Sequence, residues 1–251
     1  MKAIFMGKNK DSSYKALRYL LKNDIEILYA IIKKEESKLM DLCQENEIKV
    51  ISDSKLYDLI KNNDPNLDNI DLVISFLFWK LIKKPIIDLS KIGCINFHPA
   101  PLPDYRGVGG YNFAILENSR KWGVSAHFVD EHFDTGEVIK VKKFEIDPNI
   151  YVKELESISQ TKLYELFTEI IDKILNKEKL KSKSQGKGKY INIEELEEAK
   201  KIDFNMKKEE IDKKIRAFWF PPYHGANIEI DGKKYSLVNK ELLNKISDSD
   251  N

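Results

Sequence analysis

An amide, an imidazole and a carboxylate held close together can catalyse acyl transfer to an amine, and Asn96, His98 and Asp134 offer those three groups. The amide can donate to the oxygen on which negative charge develops, and the imidazole can pass a proton to a leaving nitrogen. The carboxylate can orient the imidazole or take the proton lost by the amine. Asn96 and His98 are two residues apart at the end of the apolar run 92–97, so a strand there points both side chains to one face. Pro99, Pro101 and Pro103 forbid the ladder from continuing, which opens the strand into a loop. The carboxyl end of a strand is where open α/β sheets bind ligands. Asp134 follows a second strand-like run and precedes Thr135-Gly136, a turn signal. Taken singly each piece is weak, since a lone histidine is most often structural and Asp-Thr-Gly is short. The weight lies in the combination.

The elements that must position these groups alternate strand with helix. Residues 2–7 read as a buried strand, followed by a helix that Ser12 or Ser13 could cap. Residues 25–32 form a second strand and 37–47 a helix with Ser37 as its cap. Residues 48–51 and 71–78 supply two more strands, with a helix over 54–61 between them. The nearly continuous apolar run in 71–78 suits a central parallel position. This order predicts an α/β fold, a doubly wound and mostly parallel Rossmann-like sheet. The loop Gly7-Lys8-Asn9-Lys10 lacks the glycine pattern of a dinucleotide site.

A helix over 111–117, strands over 124–129 and 138–144, and a long amphipathic helix over 152–177 follow. That last helix sets Leu155, Ile158, Leu163, Leu166, Phe167, Ile170, Ile171 and Ile174 on its apolar side. The polar stretch 181–189 reads as a functional loop or linker, 208–217 as a helix and 218–226 as an aromatic loop. Asp231-Gly232 between alternating residues marks a hairpin. The expected organisation is a catalytic domain over 1–180, then a C-terminal helix, aromatic loop and hairpin over 181–251, with a frayed tail at 247–251.

A net charge of +1 argues against a strong grip on nucleic acid, and lysines and glutamates are intermixed over 153–215 as on solvated helices. Cys43 and Cys94 lie far apart, without metal-ligand or disulfide spacing, which fits a reducing cytoplasm. The four histidines (98, 127, 132 and 224) show no zinc-like grouping. No apolar stretch approaches the length needed to span a bilayer, so no membrane association is expected.

Several motifs recur in a fixed order: Asn96-x-His98, Leu102-Pro103, Tyr105-Arg106-Gly107, Ala114-Ile115, Gly123-Val124-Ser125-Ala126-His127 and Asp134-Thr135-Gly136. In this order they resemble the 10-formyltetrahydrofolate-dependent formyltransferases. The resemblance implies a metal-independent enzyme with Asn96, His98 and Asp134 as its catalytic set, and His127 as a structural hydrogen-bonding residue. It implies a pterin site at Phe78, Trp79 and Lys80 with Ala100, Pro101, Leu102 and Pro103. For Phe78 and Trp79 a purely core role is an equal alternative. It also implies that Lys8, Asn9, Tyr105, Arg106, Gly107, Gly110 and Tyr111 lie about the amine substrate.

The segment 215–226 resembles the nucleotide-sugar formyltransferases of O-antigen and lipopolysaccharide synthesis. The methionyl-tRNA branch carries a further C-terminal barrel, whereas about 25 residues follow Ala226 here. Gly110-Tyr111 also replaces a proline of that branch. The implied acceptor is dTDP-4-amino-4,6-dideoxyglucose. A dTDP-3-amino sugar, methionyl-tRNA and a non-catalytic folate-binding module are the alternatives. Trp219 and Tyr223 could stack the nucleobase, or form an apolar plug. The hairpin edge could pair with its twin to give a homodimer.

Overall fold

The computed structural model describes residues 1–249, and it divides into two compact units. The first comprises Met1–Arg106, Gly123–Lys143 and Ser159–Lys189. The second comprises Gly107–Trp122, Phe144–Ile158 and the residues from Tyr190 onward.

In chain order the first half holds β1 (Lys2–Gly7), α1 (Asp11–Lys22), β2 (Glu26–Ile31), α2 (Lys38–Glu45), β3 (Lys49–Val50), α3 (Asp53–Lys61), a 3₁₀ turn (Pro65–Leu67), β4 (Leu72–Phe76) and β5 (Cys94–His98). Then come β6 (Arg106–Gly107), α4 (Gly110–Leu116), β7 (Lys121–Phe128), β8 (Val138–Glu145) and α5 (Val152–Leu175). The chain finishes with β9 (Tyr190–Ile191), α6 (Ile193–Ala199), α7 (Lys208–Phe218), β10 (Asn227–Ile230), β11 (Lys233–Ser236) and α8 (Lys240–Ser249). Seven strands form one sheet in the order β3-β2-β1-β4-β5-β7-β8. Strands β3 through β5 run parallel and β7 is antiparallel to β5. The doubly wound, mostly parallel expectation holds. The sequence order reverses between β1 and β4, which makes their carboxyl ends a topological switch point.

Alternation along the central strands builds two cores. Ile4, Met6, Val73 and Cys94 face one layer with Tyr29, Ile31, Leu56 and Ile86. On the other face Phe76 and Phe97 stack at 5.8 Å between centroids, and Phe167 of α5 meets them edge-on at 5.5 and 4.9 Å. All three rings are buried, and each contributes about 1.5–3 kcal/mol through lost water contact. Cys43 and Cys94 are free, buried thiols, and burial pushes the Cys43 thiol up to about 11.

Several boundaries depart from expectation. Helix α1 starts at Asp11, with extended Lys10 as its N-cap, so Ser12 and Ser13 are buried within the first turn and cap nothing. Ser12 instead donates to Gln160. Ser37 does cap α2, accepting from the Met40 amide at 3.2 Å. Ile158 is 41% exposed, because the buried line of α5 runs Leu155, Ser159, Leu163 and Phe167 at a four-residue step, which Ile158 misses by one.

Within the second unit Asp231 and Gly232 both have positive φ (49° and 75°), the backbone that a two-residue hairpin turn requires. Two helices there lie outside the sequence reading. A capping box joins Asn192 to Glu195 at the start of α6, and Asn239 accepts from the Leu242 amide at 2.9 Å at the start of α8. Residues 247–249, expected to fray, end α8, while 250 and 251 lie outside the described residues. Among the described residues no helix is long and apolar enough to cross a membrane.

Candidate active site

Strand β5 delivers Asn96 and His98 to one face at its carboxyl end, where Ser75 of β4 and His127 of β7 are the registered neighbours of Asn96. The Ser75 hydroxyl donates to Asn96 Oδ1 at 2.7 Å, and Asn96 Nδ2 points to His127 Nε2 at 3.0 Å. Nδ2 also lies 3.4 Å from Asp134 Oδ1. The reverse amide orientation would set oxygen against carboxylate, so chemistry selects this one. His127 Nδ1 sits 2.7 Å from the Phe128 carbonyl, which can only accept. The ring proton is therefore on Nδ1, and Nε2 accepts from Asn96.

His98 is held in the complementary way. Its Nε2 lies 2.9 Å from the Tyr105 carbonyl and must donate to it, which leaves Nδ1 facing Asp134 Oδ1 at 3.4 Å. Three side chains thus converge on one carboxylate oxygen, for His127 Nε2 is 3.5 Å from the same atom. The Asp134 side chain is 12% exposed. Low exposure strengthens interactions among these charges and dipoles.

Asp134 occupies a tight turn in the left-handed region, at φ 57°. Thr135 Oγ1 donates to Asp130 at 2.6 Å, and a Cβ on Gly136 would lie 1.9 Å from the Phe128 carbonyl. Only glycine allows that approach to the end of β7. Across the turn lies the 181–189 segment, anchored by reciprocal Val138–Lys183 backbone bonds of 2.9 Å. Gln185 Nε2 donates to the carbonyls of Asp134 (2.9 Å) and Gly136 (2.6 Å). Gln185 Oε1 accepts from Arg106 Nε (3.1 Å) and Nη2 (2.9 Å). Among the described residues no group of three His, Cys, Asp or Glu side chains is set to hold a metal ion.

Both the sequence and the fold of this chain have counterparts among known proteins. The formyl transferase model matches residues 33–171, and the model of the formyl transferase C-terminal domain matches residues 196–251. The chain belongs to the formyl transferase family. It is 31% identical over 170 residues to the methionyl-tRNA formyltransferase of Clostridioides difficile, covering 62% of this chain and 53% of that protein. The chain thus spans about half the length of that relative. It is 30% identical over 192 residues to the GDP-perosamine N-formyltransferase of Brucella melitensis, covering 76% and 71% respectively. Among solved structures, the N-formyltransferase of Helicobacter canadensis in complex with folinic acid and dTDP-3-aminofucose superposes with a TM-score of 0.73. Identity there is 25%, over 93% of this chain and 86% of that one.

The remaining expected residues of this formyl transferase family member fall in both units. In the first, Phe78 packs on Trp79 at 4.8 Å, Lys33 Nζ lies 5.7 Å from the centre of the Trp79 ring, and Lys80 pairs with Asp53 at 2.7 Å. Ser125 ties down the 100–103 loop, accepting from the Leu102 amide (2.9 Å) and donating to the Ala100 carbonyl (2.7 Å). A Cβ on Gly123 would lie 3.2 Å from Pro101, and one on Gly188 2.0 Å from the Pro103 carbonyl. Lys8 is exposed, and the Asn9 amide donates to the Lys33 carbonyl (3.3 Å) and Glu35 (3.0 Å).

In the second unit Gly107 has φ 82°, and a Cβ there would lie 2.3 Å from the Ile191 carbonyl. Gly110 opens α4, Tyr111 packs on Trp122 at 5.7 Å, Trp219 caps α7 and Tyr223 is largely exposed. His132 is exposed. Gln185 went unread by sequence. The signal was there: it is the one amide-bearing side chain in 181–189, a stretch otherwise of lysine, serine and glycine.

Proposed function

We propose that this chain transfers the formyl group of 10-formyltetrahydrofolate to the amine of a nucleotide-linked amino sugar, with dTDP-4-amino-4,6-dideoxyglucose as the acceptor. The observation that carries the reading is the meeting of Asn96 Nδ2 and His98 Nδ1 on Asp134 Oδ1, both at 3.4 Å, at the end of β5. When bound, the folate supplies an activated formyl group on N10. The residues present fit such a partner: two convergent polar donors for the formyl oxygen, and the aromatic pair Phe78 and Trp79 with Ala100–Pro103 to wall the pterin.

In this mechanism the acceptor nitrogen bonds to the formyl carbon as the carbon–N10 bond breaks. Asn96 Nδ2 keeps one proton on His127 Nε2 and turns the other, which faces Asp134 at 3.4 Å, to the formyl oxygen as its charge grows. One such donor contributes on the order of 3 kcal/mol. His98 works through Nδ1, because its Nε2 proton is committed to the Tyr105 carbonyl. With both ring nitrogens protonated, Nδ1 donates to the same oxygen and then gives its proton to N10. Asp134 takes the proton lost by the amine and returns it to Nδ1, which restores both groups. Lys8, Asn9, Tyr105, Arg106, Gly107, Gly110 and Tyr111 serve the sugar nucleotide, with Trp219 and Tyr223 stacking its base. The chain acts in the cytoplasm as a homodimer, without nucleic acid, and feeds O-antigen or lipopolysaccharide synthesis.

Sequence identity does not separate the two acceptor classes, at 31% to a methionyl-tRNA formyltransferase and 30% to a GDP-perosamine N-formyltransferase. The likeness in fold to an enzyme bound to dTDP-3-aminofucose, over 93% of this chain and 86% of that one, supports a sugar nucleotide. That complex makes a 3-amino sugar the second reading. The test offers 10-formyltetrahydrofolate with dTDP-4-amino-4,6-dideoxyglucose, dTDP-3-amino-3,6-dideoxygalactose and methionyl-tRNA in parallel, and reads product mass. A formyl gain on one sugar nucleotide that vanishes in His98→Ala is the expected result. Formylation of methionyl-tRNA alone overturns the acceptor class.

A further inference from the structure

We propose that Gln185 is a positioning residue, whose side-chain amide holds the Asp134 turn in place so that the carboxylate meets Asn96 and His98. The inference rests on Asp134 acting as the proton acceptor described above. A guanidinium can only donate and a carbonyl can only accept, so Gln185 has one workable orientation: Oε1 on Arg106, Nε2 on the turn. Both amide protons and both oxygen lone pairs are then used. The two carbonyls it grips, those of Asp134 and Gly136, belong to alternate residues of the turn whose first member sits at φ 57°. Aspartate tolerates that conformation, so what the two bonds fix is where the turn lies.

The Gln185 backbone is itself fixed on both sides. Val138 and Lys183 exchange two backbone bonds before it, and the Arg106 amide donates to the Lys189 carbonyl at 2.9 Å after it. Ser182 and Ser184 both donate to Glu137, at 2.5 and 3.2 Å. Gly188 passes so close to Pro103 that no side chain fits between them. Arg106 adds a bond to the Gly186 carbonyl at 3.0 Å. A strap held at both ends thus carries an amide to the turn, and that amide reaches it at the residue bearing the carboxylate. Displacement of a reacting group by about 1 Å can cost on the order of 10²-fold in rate.

Two substitutions separate positioning from general support. Gln185→Glu keeps the length and the acceptor for Arg106 but loses both donors and sets oxygen against two carbonyls. Gln185→Met keeps the volume and loses every bond. Both are assayed beside Asp134→Asn and the double variant Gln185→Glu/Asp134→Asn, with 10-formyltetrahydrofolate and dTDP-4-amino-4,6-dideoxyglucose, and with thermal unfolding as the folding control. Expected is a drop in kcat on the order of 10²-fold in folded Gln185→Glu, a folate KM within about threefold, and a double variant no slower than Asp134→Asn alone. A kcat within about threefold of the unmodified chain, or losses that multiply in the double variant, overturns the proposal. If Gln185→Glu does not fold, Gln185→Met carries the same test. Full turnover in Asp134→Asn instead refutes the reading of Asp134, and the Gln185 role falls with it. No transfer by the unmodified chain overturns the acceptor, and the same variants are then compared on dTDP-3-amino-3,6-dideoxygalactose.

Discussion

The two units solve the same problem, how to satisfy buried backbone, by different means. In the first, ladders of strands pair the main chain of the sheet with itself, so side chains at its carboxyl edge pair with one another. Ser75, Asn96, His98, His127 and Asp134 do so. The loops beyond that edge borrow side chains such as Gln185 and Ser125 for their carbonyls. In the second, side chains serve as partners for carbonyls at helix ends. Lys213 donates to the Leu116 carbonyl (3.3 Å), Lys214 to that of Ala199 (2.5 Å), and Asn112 to that of Ala217 (2.6 Å). Each carbonyl lies in the last turn of α4, α6 or α7, where four such groups have no partner within the helix. Arg216 adds bonds to the carbonyls of Pro148 (3.0 Å) and Ile150 (3.3 Å). A sheet whose backbone is self-sufficient can devote polar side chains to chemistry, whereas the helical unit commits its own to assembly.

If that contrast is correct, the largest effects on turnover come from the sheet edge, with little effect on folding. His98→Ala should lower kcat by about 10²–10⁴-fold, the span typical of a positioned proton donor. Asn96→Ala should lower it by about 10²–10³-fold, the span for one donor to an oxyanion. Circular dichroism and thermal melting should stay close to those of the unmodified chain for both. A large fall in melting temperature with modest loss of rate would mean that these residues hold the sheet rather than act on substrate.

Gly136→Ala probes the next largest effect, where chemistry and fold share one constraint. The new methyl would lie 1.9 Å from the Phe128 carbonyl, so the turn must move away from β7. A loss of about 2–3 kcal/mol in stability and a fall in kcat should appear together, read by urea unfolding and steady-state rates. Loss of one without the other would separate the turn from the site.

This same contrast decides what could be read without coordinates. Period-two alternation and three prolines made the end of β5 legible, and Asp231-Gly232 made the hairpin legible, because those signals are local. Which nitrogen of His98 is left facing Asp134 was not legible, for it depends on a carbonyl seven residues away that only the folded loop presents. Helix α1 misled because serine is a common cap, yet here extended Lys10 precedes the first turn and both serines are buried. Helices α6 and α8 carried readable caps at Asn192 and Asn239, masked by surrounding charge and by proximity to the tail. The bonds of Lys213 and Lys214 had no signature, because a lysine among lysines looks like solvated surface.

Lys214 sharpens the account of the second unit. Burial holds its ammonium below the usual lysine range, against the pull of Glu198 and Glu210. A lysine whose folded pKa is depressed penalises the charged folded form, so that penalty is present at neutral pH and is relieved as pH rises through the folded pKa toward the unfolded value. Lys214→Met removes the penalty together with the bond to Ala199. The expected result is a net loss of about 1 kcal/mol at pH 7, and a weaker gain in stability than the unmodified chain shows over the alkaline range as pH rises toward the unfolded value of about 10.4. Denaturant midpoints across that range check both, and identical alkaline slopes would count against the role given to Lys214.

The smallest expected effect lies at the opposite edge of the same sheet, where a carboxylate serves the fold alone. Asp71 accepts from the Lys2 amide at 2.9 Å and lies 3.5 Å from Lys91 Nζ, at the amino ends of β4 and β1. The backbone bond and the nearby ammonium hold its carboxyl below the usual range, although burial opposes them. A depressed folded pKa means the stabilisation is complete above the unfolded value of about 3.9 and is lost as pH falls through the folded one. Its side chain is 28% exposed, so the worth is modest, about 0.5 kcal/mol for Asp71→Asn at pH 7. That difference should shrink progressively as pH falls below the unfolded value of about 3.9, while formyl transfer at neutral pH stays unchanged. A rate defect in Asp71→Asn would break the division between an edge that holds the sheet and an edge that works.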